Sequence, residues 1–539
     1  MRRFLKDLLR DVIPILMISG LVVADGLSGY DNLFAMNING LAFFCINSFL
    51  WVGLLTVPML ILGRWSRYFY VPLFAHSLIV CALQWYARMN FGINLDGSVV
   101  GILLSSSSEE VVTFVKCAVT PLSVLGVLVL LAVAVGGVVY LWRHDYRPAS
   151  IGSRICASIL LSLFALWSPS VLKAPIRLIR ARPMFNMWYD IVSQKDYYRN
   201  LQRLIDAPAI PETVAMKWGK EAPFMVFVLG ESSARCRWSI YGYDRPTTEE
   251  MDRIRDELVV FSDVVGSAYT TADAMKMLFT EATTDRPFGM NCTFSQILKR
   301  AGYRCVLVSA QAKWDNSGSL ENYMFSGCDQ MTFLCEEGLK RPWYDDALLP
   351  YLDKEICFSN GFPTTVFLHL KGSHPPVREF YPVAEAKFKP EVYANNSGTT
   401  NPLKNKNHYD NSIAFTDSVL GRVVDRLRAL NRPALMFYIS DHGESVDSDH
   451  WRDVRDIAIW ELPMICWMSK EFREAYPDIV KELEASRDRP LQSENLLPGL
   501  VSLFLVGGYG TPQNDFHNAE FCVRSRLIRG GKEEYKRVK

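Results

Sequence analysis

The chain of 539 residues carries 58 basic and 57 acidic side chains, a formal net charge of +1. This balance excludes the broad basic field that nucleic-acid binding requires, so no nucleic-acid partner is expected. The length exceeds what one hydrophobic core fills and indicates at least two domains. Long apolar runs are concentrated in residues 1–171, whereas the later residues have the mix of an ordinary soluble domain.

Five apolar runs in residues 1–171 predict a bundle of five transmembrane helices. A helix needs roughly 20 apolar residues to cross a bilayer, and the runs are residues 13–30, 41–62, 69–85, 119–142 and 155–167. The first, which contains Asp25, and the short fifth run also fit a buried soluble helix. Lys and Arg cluster before the first run and in alternate connections, as in cytoplasmic loops. The pattern puts the amino terminus inside, in a bacterial inner membrane, and the later residues in the periplasm.

Residues 172–222 are predicted to connect the two parts. Four cations alternate with apolar residues at the start of this segment: Lys173, Arg177, Arg180 and Arg182. Such a pattern is typical of an amphipathic helix at the membrane surface, and it fits a solvated connector nearly as well. Pro208 and Pro211 then mark a linker into the soluble part.

Residues 223–539 predict an α/β domain with a mainly parallel sheet covered by helices, because short apolar runs alternate with helical spacing. The expected strands are residues 224–229, 304–308, 365–370, 435–439 and 464–467. The expected helices are residues 251–260, 294–301, 348–358 and 412–430. Eight of the 12 cysteines lie in this part. An even number in an oxidising compartment favours disulfides, with Cys328 and Cys335 as the best local pair.

Two of the expected strands end in residues that bind metal ions. Residues 435–439 lead into Ser-Asp-His-Gly-Glu at 440–444, and residues 224–229 lead into Gly-Glu-Ser-Ser at 230–233. The carboxyl ends of parallel strands are where open α/β sheets keep their chemistry. Each motif alone is as often structural as functional. Together, Glu231, Asp441 and His442 predict a metalloenzyme.

Several further motifs follow one another in a fixed order. They are residues 228–235 (Val-Leu-Gly-Glu-Ser-Ser-Ala-Arg), 241–245 (Tyr-Gly-Tyr-Asp-Arg), 372–374 (Gly-Ser-His), 409–411 (Tyr-Asp-Asn) and 440–444. With the five apolar runs, they resemble a phosphoethanolamine transferase of the alkaline phosphatase and sulfatase superfamily, the group that includes the lipid A phosphoethanolamine transferases. The resemblance covers nearly the whole chain, so it implies a sulfatase-like catalytic domain in residues 223–539.

The resemblance implies a zinc ion held by Glu231, Asp441, His442 and a nucleophilic threonine. Thr271 is the expected nucleophile, because the family's threonine segment aligns there and Thr-Ala-Asp resembles the Thr-Ser-Asp of lipoteichoic acid synthases. Thr270 stays an alternative, since the Pro-Cys that often follows in the lipid A enzymes is replaced here by Lys276-Met277. Either threonine also fits a helix N-cap.

Four further residues are assigned by the same resemblance. His374 matches the histidine of the Gly-Ser-His motif, which binds phosphate or protonates a leaving group, and His450 is the candidate for a second such role. Glu109 and Glu110 resemble a segment that faces the active site and could receive the amine of the donor lipid. Ordinary loop positions are the competing interpretation for all four.

The implied reaction transfers phosphoethanolamine from phosphatidylethanolamine to threonine, releases diacylglycerol, and passes the group to an acceptor hydroxyl. Zinc would favour the ionised hydroxyl at neutral pH. Lipid A or another lipopolysaccharide component is the expected kind of acceptor. A phosphoglycerol transferase of the same fold, commonly with manganese, and a non-catalytic membrane sensor are the alternatives. A hydrolytic sulfatase is disfavoured, because the chain has no Cys/Ser-x-Pro-x-Arg sequence for a formylglycine nucleophile.

Overall fold

A computed structural model of the chain describes most of the second half and two helices of the first. The described residues are 51, 62, 65, 67–91, 121–143, 206–219, 221–287, 289–311, 320–335, 343–359, 361–389, 406–448, 453–531 and 533–537. They fall into two compact units: the described residues up to Arg143 belong to the first, and those from Asp206 onward belong to the second.

The first unit contains helices α1 (Arg67–Phe91) and α2 (Pro121–Arg143). Tyr68 and Trp142 meet edge to face between them, with ring centroids 5.5 Å apart. Two predicted spans, residues 69–85 and 119–142, fall largely or wholly on these helices, and the other three lie essentially outside the described residues. Among the helices that the structure describes, none has the length and apolar character needed to cross a membrane. The five-helix bundle therefore stays a prediction.

The second unit is built on a seven-stranded sheet. Its strands are β1 (Phe224–Gly230), β2 (Leu258–Val260), β3 (Arg304–Ser309), β4 (Gln330–Phe333), β5 (Thr364–His369), β6 (Ala434–Ser440) and β7 (Met464–Met468). The spatial order is β2-β7-β6-β1-β5-β3-β4. From β6 to β4 all pairs are parallel, whereas β7 pairs antiparallel with β6 and β2 with β7. The prediction of a mainly parallel sheet is confirmed.

Helices cover both faces of this sheet, so the central strands are buried on both faces and are mostly apolar. Alternate residues of β1 enter two separate cores: Phe227 packs on one face and Val226 on the other. The first face carries α4 (Thr271–Phe279), α5 (Phe294–Ala301), α6 (Leu320–Met324), α9 (Lys470–Ala475), α10 (Pro477–Ser486) and α11 (Leu497–Leu503). The second carries α3 (Glu249–Arg253), α7 (Leu349–Phe358) and α8 (Lys406–Arg428).

All five expected strands are present, and the expected helices 294–301, 348–358 and 412–430 correspond to α5, α7 and α8. The expected helix 251–260 is wrong in its second half. Helix α3 ends at Arg253, a 3₁₀ turn spans Arg255–Glu257, and Leu258–Val260 forms the edge strand β2. The physical reason is the partner strand, because Val259 and Val260 pair with β7 and β-branched residues suit that position.

No disulfide joins any of the cysteines that the structure describes, which include all eight of residues 223–539. The expected disulfide bonding, with Cys328 and Cys335 as its best local pair, is therefore not seen. Cys292, Cys305 and Cys466 instead lie in the core on the first face of the sheet. Burial raises the pKa of each of these three thiols, and a buried cysteine there packs as a small apolar side chain.

Candidate metal centre

The two predicted ligand motifs meet at one edge of the sheet. Strands β1 and β6 are parallel neighbours in register, with Gly230 opposite Ser440. The residues that follow each strand therefore leave the sheet side by side. The Asp441 amide donates to the Gly230 carbonyl at 3.1 Å, and the Ser232 amide donates to Asp441 Oδ1 at 2.9 Å. These two bonds hold the two turns together.

Two glycines let the turns approach their surroundings. A Cβ at Gly230 would overlap the Tyr438 hydroxyl, and one at Gly443 would overlap the Ala458 carbonyl oxygen. The Gly443 amide also donates to the Ile459 carbonyl at 2.7 Å. The Gly-Glu and Asp-His-Gly motifs therefore need glycine for close contact, and the neighbouring ligands are placed by that contact.

Glu231, Asp441 and His442 form a buried group in which one ligand atom from each lies within 4.8 Å of the others. His442 Nε2 lies 3.3 Å from Asp441 Oδ2 and 3.8 Å from Glu231 Oε1. Since the Gly443 carbonyl can only accept, His442 Nδ1 donates its proton to it at 2.7 Å. This assigns the tautomer and leaves the Nε2 lone pair directed at the two carboxylates.

The electrostatics of this group are unfavourable without a cation. Burial, and then the charge of Asp441, raises the pKa of Glu231 to about 7. Burial also raises the pKa of Asp441. Among the described residues, no hydrogen-bond partner reaches Asp441 Oδ2. Two carboxylates that are buried together disfavour each other's charge, and a metal ion relieves that cost.

Thr271 joins this group from the first turn of α4. Its hydroxyl lies 3.3 Å from Glu231 Oε1 and 3.2 Å from Oε2, and donates to this carboxylate. Thr270 is the residue before the helix, and its hydroxyl lies 3.4 Å from Asp273 instead. Of the two candidate threonines, the structure brings Thr271 to the carboxylate of Glu231. The amino-terminal end of a helix also carries partial positive charge, which suits an anionic substrate.

The donor set fits a metal ion of the expected kind. Two carboxylates, one imidazole and one hydroxyl provide oxygen and nitrogen ligands without a thiolate, which zinc and manganese both accept. Four such groups match the tetrahedral coordination that zinc prefers. The buried, unpartnered Asp441 Oδ2 is a position for a ligand atom rather than for a structural hydrogen bond.

The other predicted site residues lie apart from this group or outside the described residues. His374 lies on the loop after β5, where its ring meets Phe380 edge to face and its Nδ1 lies 2.6 Å from the Pro375 carbonyl oxygen. That loop contacts the centre through the Ser373 amide, which donates to the Glu231 carbonyl at 3.0 Å. Glu109, Glu110 and His450 lie outside the described residues.

Sequence reasoning missed three side chains beside the centre: Gln311, Asp345 and Lys371. Gln311 Nε2 donates to Glu231 Oε2 at 3.3 Å, and Lys371 Nζ donates to Gln311 Oε1 at 3.0 Å. Gln311 and Lys371 each stand two residues beyond a parallel strand, β3 and β5. The rule that picked out Glu231 and Asp441 would also have found these two residues. Asp345 lies before α7, where no such signal exists.

A mostly parallel α/β sheet with metal ligands at the carboxyl ends of its central strands is the architecture of a metal-dependent α/β enzyme. The sulfatase family profile matches residues 223–506, more than half of the chain, and the chain belongs to this family. The resemblance to phosphoethanolamine transferases is confirmed by a relative that matches over most of its length. The phosphoethanolamine transferase EptA of Helicobacter pylori is 25% identical over 513 residues, which cover 90% of this chain and 88% of that protein.

Solved structures share the fold. The integral membrane lipooligosaccharide phosphoethanolamine transferase A (EptA) of Neisseria meningitidis is 19% identical, with a TM-score of 0.62 over 93% of this chain and 98% of that one. The periplasmic domain of Escherichia coli EptC, solved in complex with zinc, is 24% identical, with a TM-score of 0.54 over 61% of this chain and 94% of that one. At these identities the structures establish the fold.

Proposed function

We propose that the chain is a zinc-dependent transferase that moves phosphoethanolamine from phosphatidylethanolamine to a hydroxyl group of a cell-envelope glycan or glycolipid. The observation that carries this proposal is the position of the Thr271 hydroxyl within 3.3 Å of both Glu231 oxygens, in a buried group with Asp441 and His442. A hydroxyl placed on buried metal ligands is arranged to act as a nucleophile. The relatives are named for this transfer, and one acts on lipooligosaccharide.

The proposed reaction has two displacements. In the first, a bond forms between Thr271 Oγ1 and the donor phosphorus while the phosphorus bond to the diacylglycerol oxygen breaks. Thr271 gives its proton to solvent, and His374, the proposed donor, protonates the diacylglycerol oxygen and regains a proton from solvent. In the second, the acceptor hydroxyl oxygen bonds to the same phosphorus while the bond from phosphorus to Thr271 Oγ1 breaks, and the proton that the acceptor loses balances the one that Thr271 takes up. Such a covalent intermediate predicts ping-pong kinetics.

Glu231, Asp441, His442 and Thr271 are the residues that would hold the metal ion. Bound zinc supplies positive charge that favours the ionised threonine hydroxyl at neutral pH. The Nδ1 bond of His442 to the Gly443 carbonyl fixes the ring so that Nε2 points at the carboxylates. Glu231 in turn orients the Thr271 hydroxyl.

The proposed setting is the periplasmic side of a bacterial inner membrane, with residues 1–171 as the anchor. Phosphatidylethanolamine is a membrane lipid, so a catalytic domain tied to the bilayer meets its donor at the surface. A lipopolysaccharide component such as lipid A is the proposed acceptor. By resemblance, we assign Glu109 and Glu110 to the amine of the donor lipid, and His450 to phosphate binding or protonation of a leaving group.

The deciding experiment is peptide mass mapping of the full-length protein after incubation with phosphatidylethanolamine and zinc. The expected result is a phosphoethanolamine adduct on the peptide that contains Thr271. Thr271→Ala removes this adduct, while the neighbouring Thr270→Ala is the matched control and keeps it. Both variants lose one hydroxyl in the same two-residue segment, so a general effect on folding would appear in both.

Other outcomes separate the alternatives. A glycerol phosphate adduct from mixed lipids would favour a phosphoglycerol transferase. An adduct that persists in Thr271→Ala and disappears in Thr270→Ala would reassign the nucleophile. A zinc-loaded wild-type protein that forms no adduct with the donor lipid in the absence of any acceptor would contradict the covalent mechanism.

A further inference from the structure

One cation beside the metal centre has no role in the reaction described above. Lys371 Nζ donates to Gln311 Oε1 at 3.0 Å, and Gln311 Nε2 donates to Glu231 Oε2 at 3.3 Å. The same Glu231 oxygen accepts from the Thr271 hydroxyl at 3.2 Å. One amide and one carboxylate oxygen therefore link the Lys371 ammonium group to the proposed nucleophile.

The hydrogen bonds of the Gln311 side-chain amide determine which of its atoms faces Lys371. Its amide nitrogen is occupied by Glu231 and by the Leu370 carbonyl, to which it donates at 2.7 Å. The amide oxygen is therefore left to accept, and it faces the ammonium group. Gln311 is itself buried. A buried amide with both ends committed is a rigid support for the lysine side chain.

The backbone of Lys371 is fixed as firmly as its side chain. The buried carboxylate of Asp345 accepts from the Lys371 amide at 2.7 Å and from the Gly372 amide at 2.9 Å. Gly372 has a φ of +51°, and a Cβ there would lie 2.8 Å from the Glu231 carbonyl oxygen. The loop that contains Lys371 and Gly372 therefore packs closely against the backbone of Glu231. This contact holds the Lys371 backbone beside the metal centre.

The charge of Lys371 acts on the centre. His442, His369 and Lys371 each lower the pKa of Glu231, against the larger effects of burial and Asp441. His442 is neutral when it serves as a metal ligand, and His369 forms a 2.8 Å pair with Glu321. Lys371 places its ammonium group two hydrogen bonds from the Glu231 carboxylate, which accepts from the Thr271 hydroxyl.

We propose that Lys371, positioned by Gln311 and Asp345, binds the phosphoryl oxygens of the donor phosphodiester and of phosphorylated Thr271. This inference rests on the proposed function and assigns a further catalytic residue to it. As the bond from Thr271 Oγ1 to phosphorus forms and the bond to diacylglycerol breaks, negative charge develops on the phosphoryl oxygens. A fixed cation in a water-poor site stabilises that charge more than the charge of the ground state.

The test compares Lys371→Met and Lys371→Arg with Lys387→Met. Lys387 is a surface lysine paired with Glu249 at 2.7 Å and is the matched control for loss of a lysine. Three quantities are measured on each full-length protein: the rate of Thr271 adduct formation, the zinc content, and the Kd for inorganic phosphate by calorimetry. We expect Lys371→Met to slow adduct formation about 100-fold, the scale for loss of one charge-stabilising donor.

Phosphate binding to Lys371→Met should weaken about 10-fold, since a hydrogen bond to a charged group contributes about 1.5 kcal/mol or more. Zinc content should not change, and Lys371→Arg should recover part of both losses. Wild-type rates and phosphate affinity in Lys371→Met would overturn the proposal. A loss of zinc in parallel with the rate, without recovery by arginine, would also overturn it and indicate a structural role.

The two proposals fail in different ways. If the wild-type protein forms no adduct, the proposed covalent mechanism is wrong. The phosphate titration then still decides the role of Lys371, because it requires no reaction. Equal phosphate affinity in the wild-type protein and Lys371→Met would reject Lys371 as a phosphate ligand in that case too.

Discussion

Two charge clusters follow strand β1, and they are built in opposite ways: the metal centre is buried throughout, whereas the second cluster is partly exposed. In the first, the metal centre, two carboxylates and a histidine face one another. In the second, which we call the arginine cluster, Asp410 lies 2.7 Å from Arg245 and 3.9 Å from Arg237, while Tyr243 donates to Asp410 at 2.9 Å. Arg237 also pairs with Asp447 at 2.6 Å. Each acid of the arginine cluster therefore meets a guanidinium group.

The difference shows which of the two clusters contains opposite charges for its own carboxylates. Buried charges are tolerated when an opposite charge compensates them, and they are costly when none does. In the arginine cluster a guanidinium group faces each acid, and the cluster ties the turn after β1 to helix α8, although burial still raises the pKa of Asp410. At the metal centre the two carboxylates face each other, and burial and the charge of Asp441 raise the pKa of Glu231 to about 7, so an added cation would relieve this repulsion. We therefore interpret the arginine cluster as structural and the metal centre as functional.

The largest expected effect is on zinc affinity. Asp441→Asn should weaken zinc binding more than about 100-fold, since even loss of a residue that only orients a ligand costs 10–100-fold. The measurement is competition with a chelating dye. The same variant should raise the melting temperature of the metal-free protein, because it removes one of two adjacent buried carboxylates. A lower melting temperature of the metal-free variant would show that Asp441 is needed for folding.

Asp410→Asn should give the reverse result. It leaves the guanidinium groups of Arg237 and Arg245 with one acid fewer, and loss of one partner of such a partly buried pair costs about 1–3 kcal/mol. The free energy of unfolding, from urea titration of the metal-free protein, should fall by that amount. Zinc affinity should change less than in Asp441→Asn. Equal stability of Asp410→Asn and the wild-type protein would erase the distinction between the two clusters.

The smallest expected effect is a pH dependence. The pKa of Glu231 is about 7 in the folded metal-free protein, against an ordinary value of 4.5, chiefly because the side chain is buried. The folded protein thus holds this proton more tightly than the unfolded chain does. The stability that Glu231 gains from holding this proton is fully present below pH 4.5 and is lost as the pH rises to about 7. Unfolding of metal-free wild-type protein and Glu231→Gln across this range should show a flatter profile for the variant.

Bound zinc should reverse the dependence of stability on pH. Zinc requires the ionised carboxylates and the neutral imidazole, so the stabilisation it provides should grow as the pH rises through the same range. The arginine cluster offers the contrast, since its acids already face cations. If the wild-type protein and Glu231→Gln show parallel pH profiles without metal, Glu231 does not hold a raised pKa.

Hydrophobic pattern was sufficient for the central strands and for three of the four expected helices, whereas α4, α6, α9, α10 and α11 were not expected. Residues 224–229 and 435–439 are apolar throughout, and such runs form strands that are buried on both faces. Helix α5 matches the expected bounds, because Thr293 and Gln296 form a capping box and Gly302 ends the helix in a left-handed conformation. The predicted helix at residues 251–260 is wrong at residues 258–260, because these residues form a strand only through their pairing with β7.

The chain's local sequence predicted Glu231, Asp441 and His442 as candidate metal ligands, since each follows an apolar strand in a glycine-containing motif, and the structure brings the three together. Only the tertiary structure decided between Thr270 and Thr271, because adjacent residues at a helix start point in different directions and just one reaches Glu231. It also brought Gln311 and Lys371 to the centre from β3 and β5. Those contacts depend on which strands are neighbours in the sheet, and the order of the strands along the chain does not determine this.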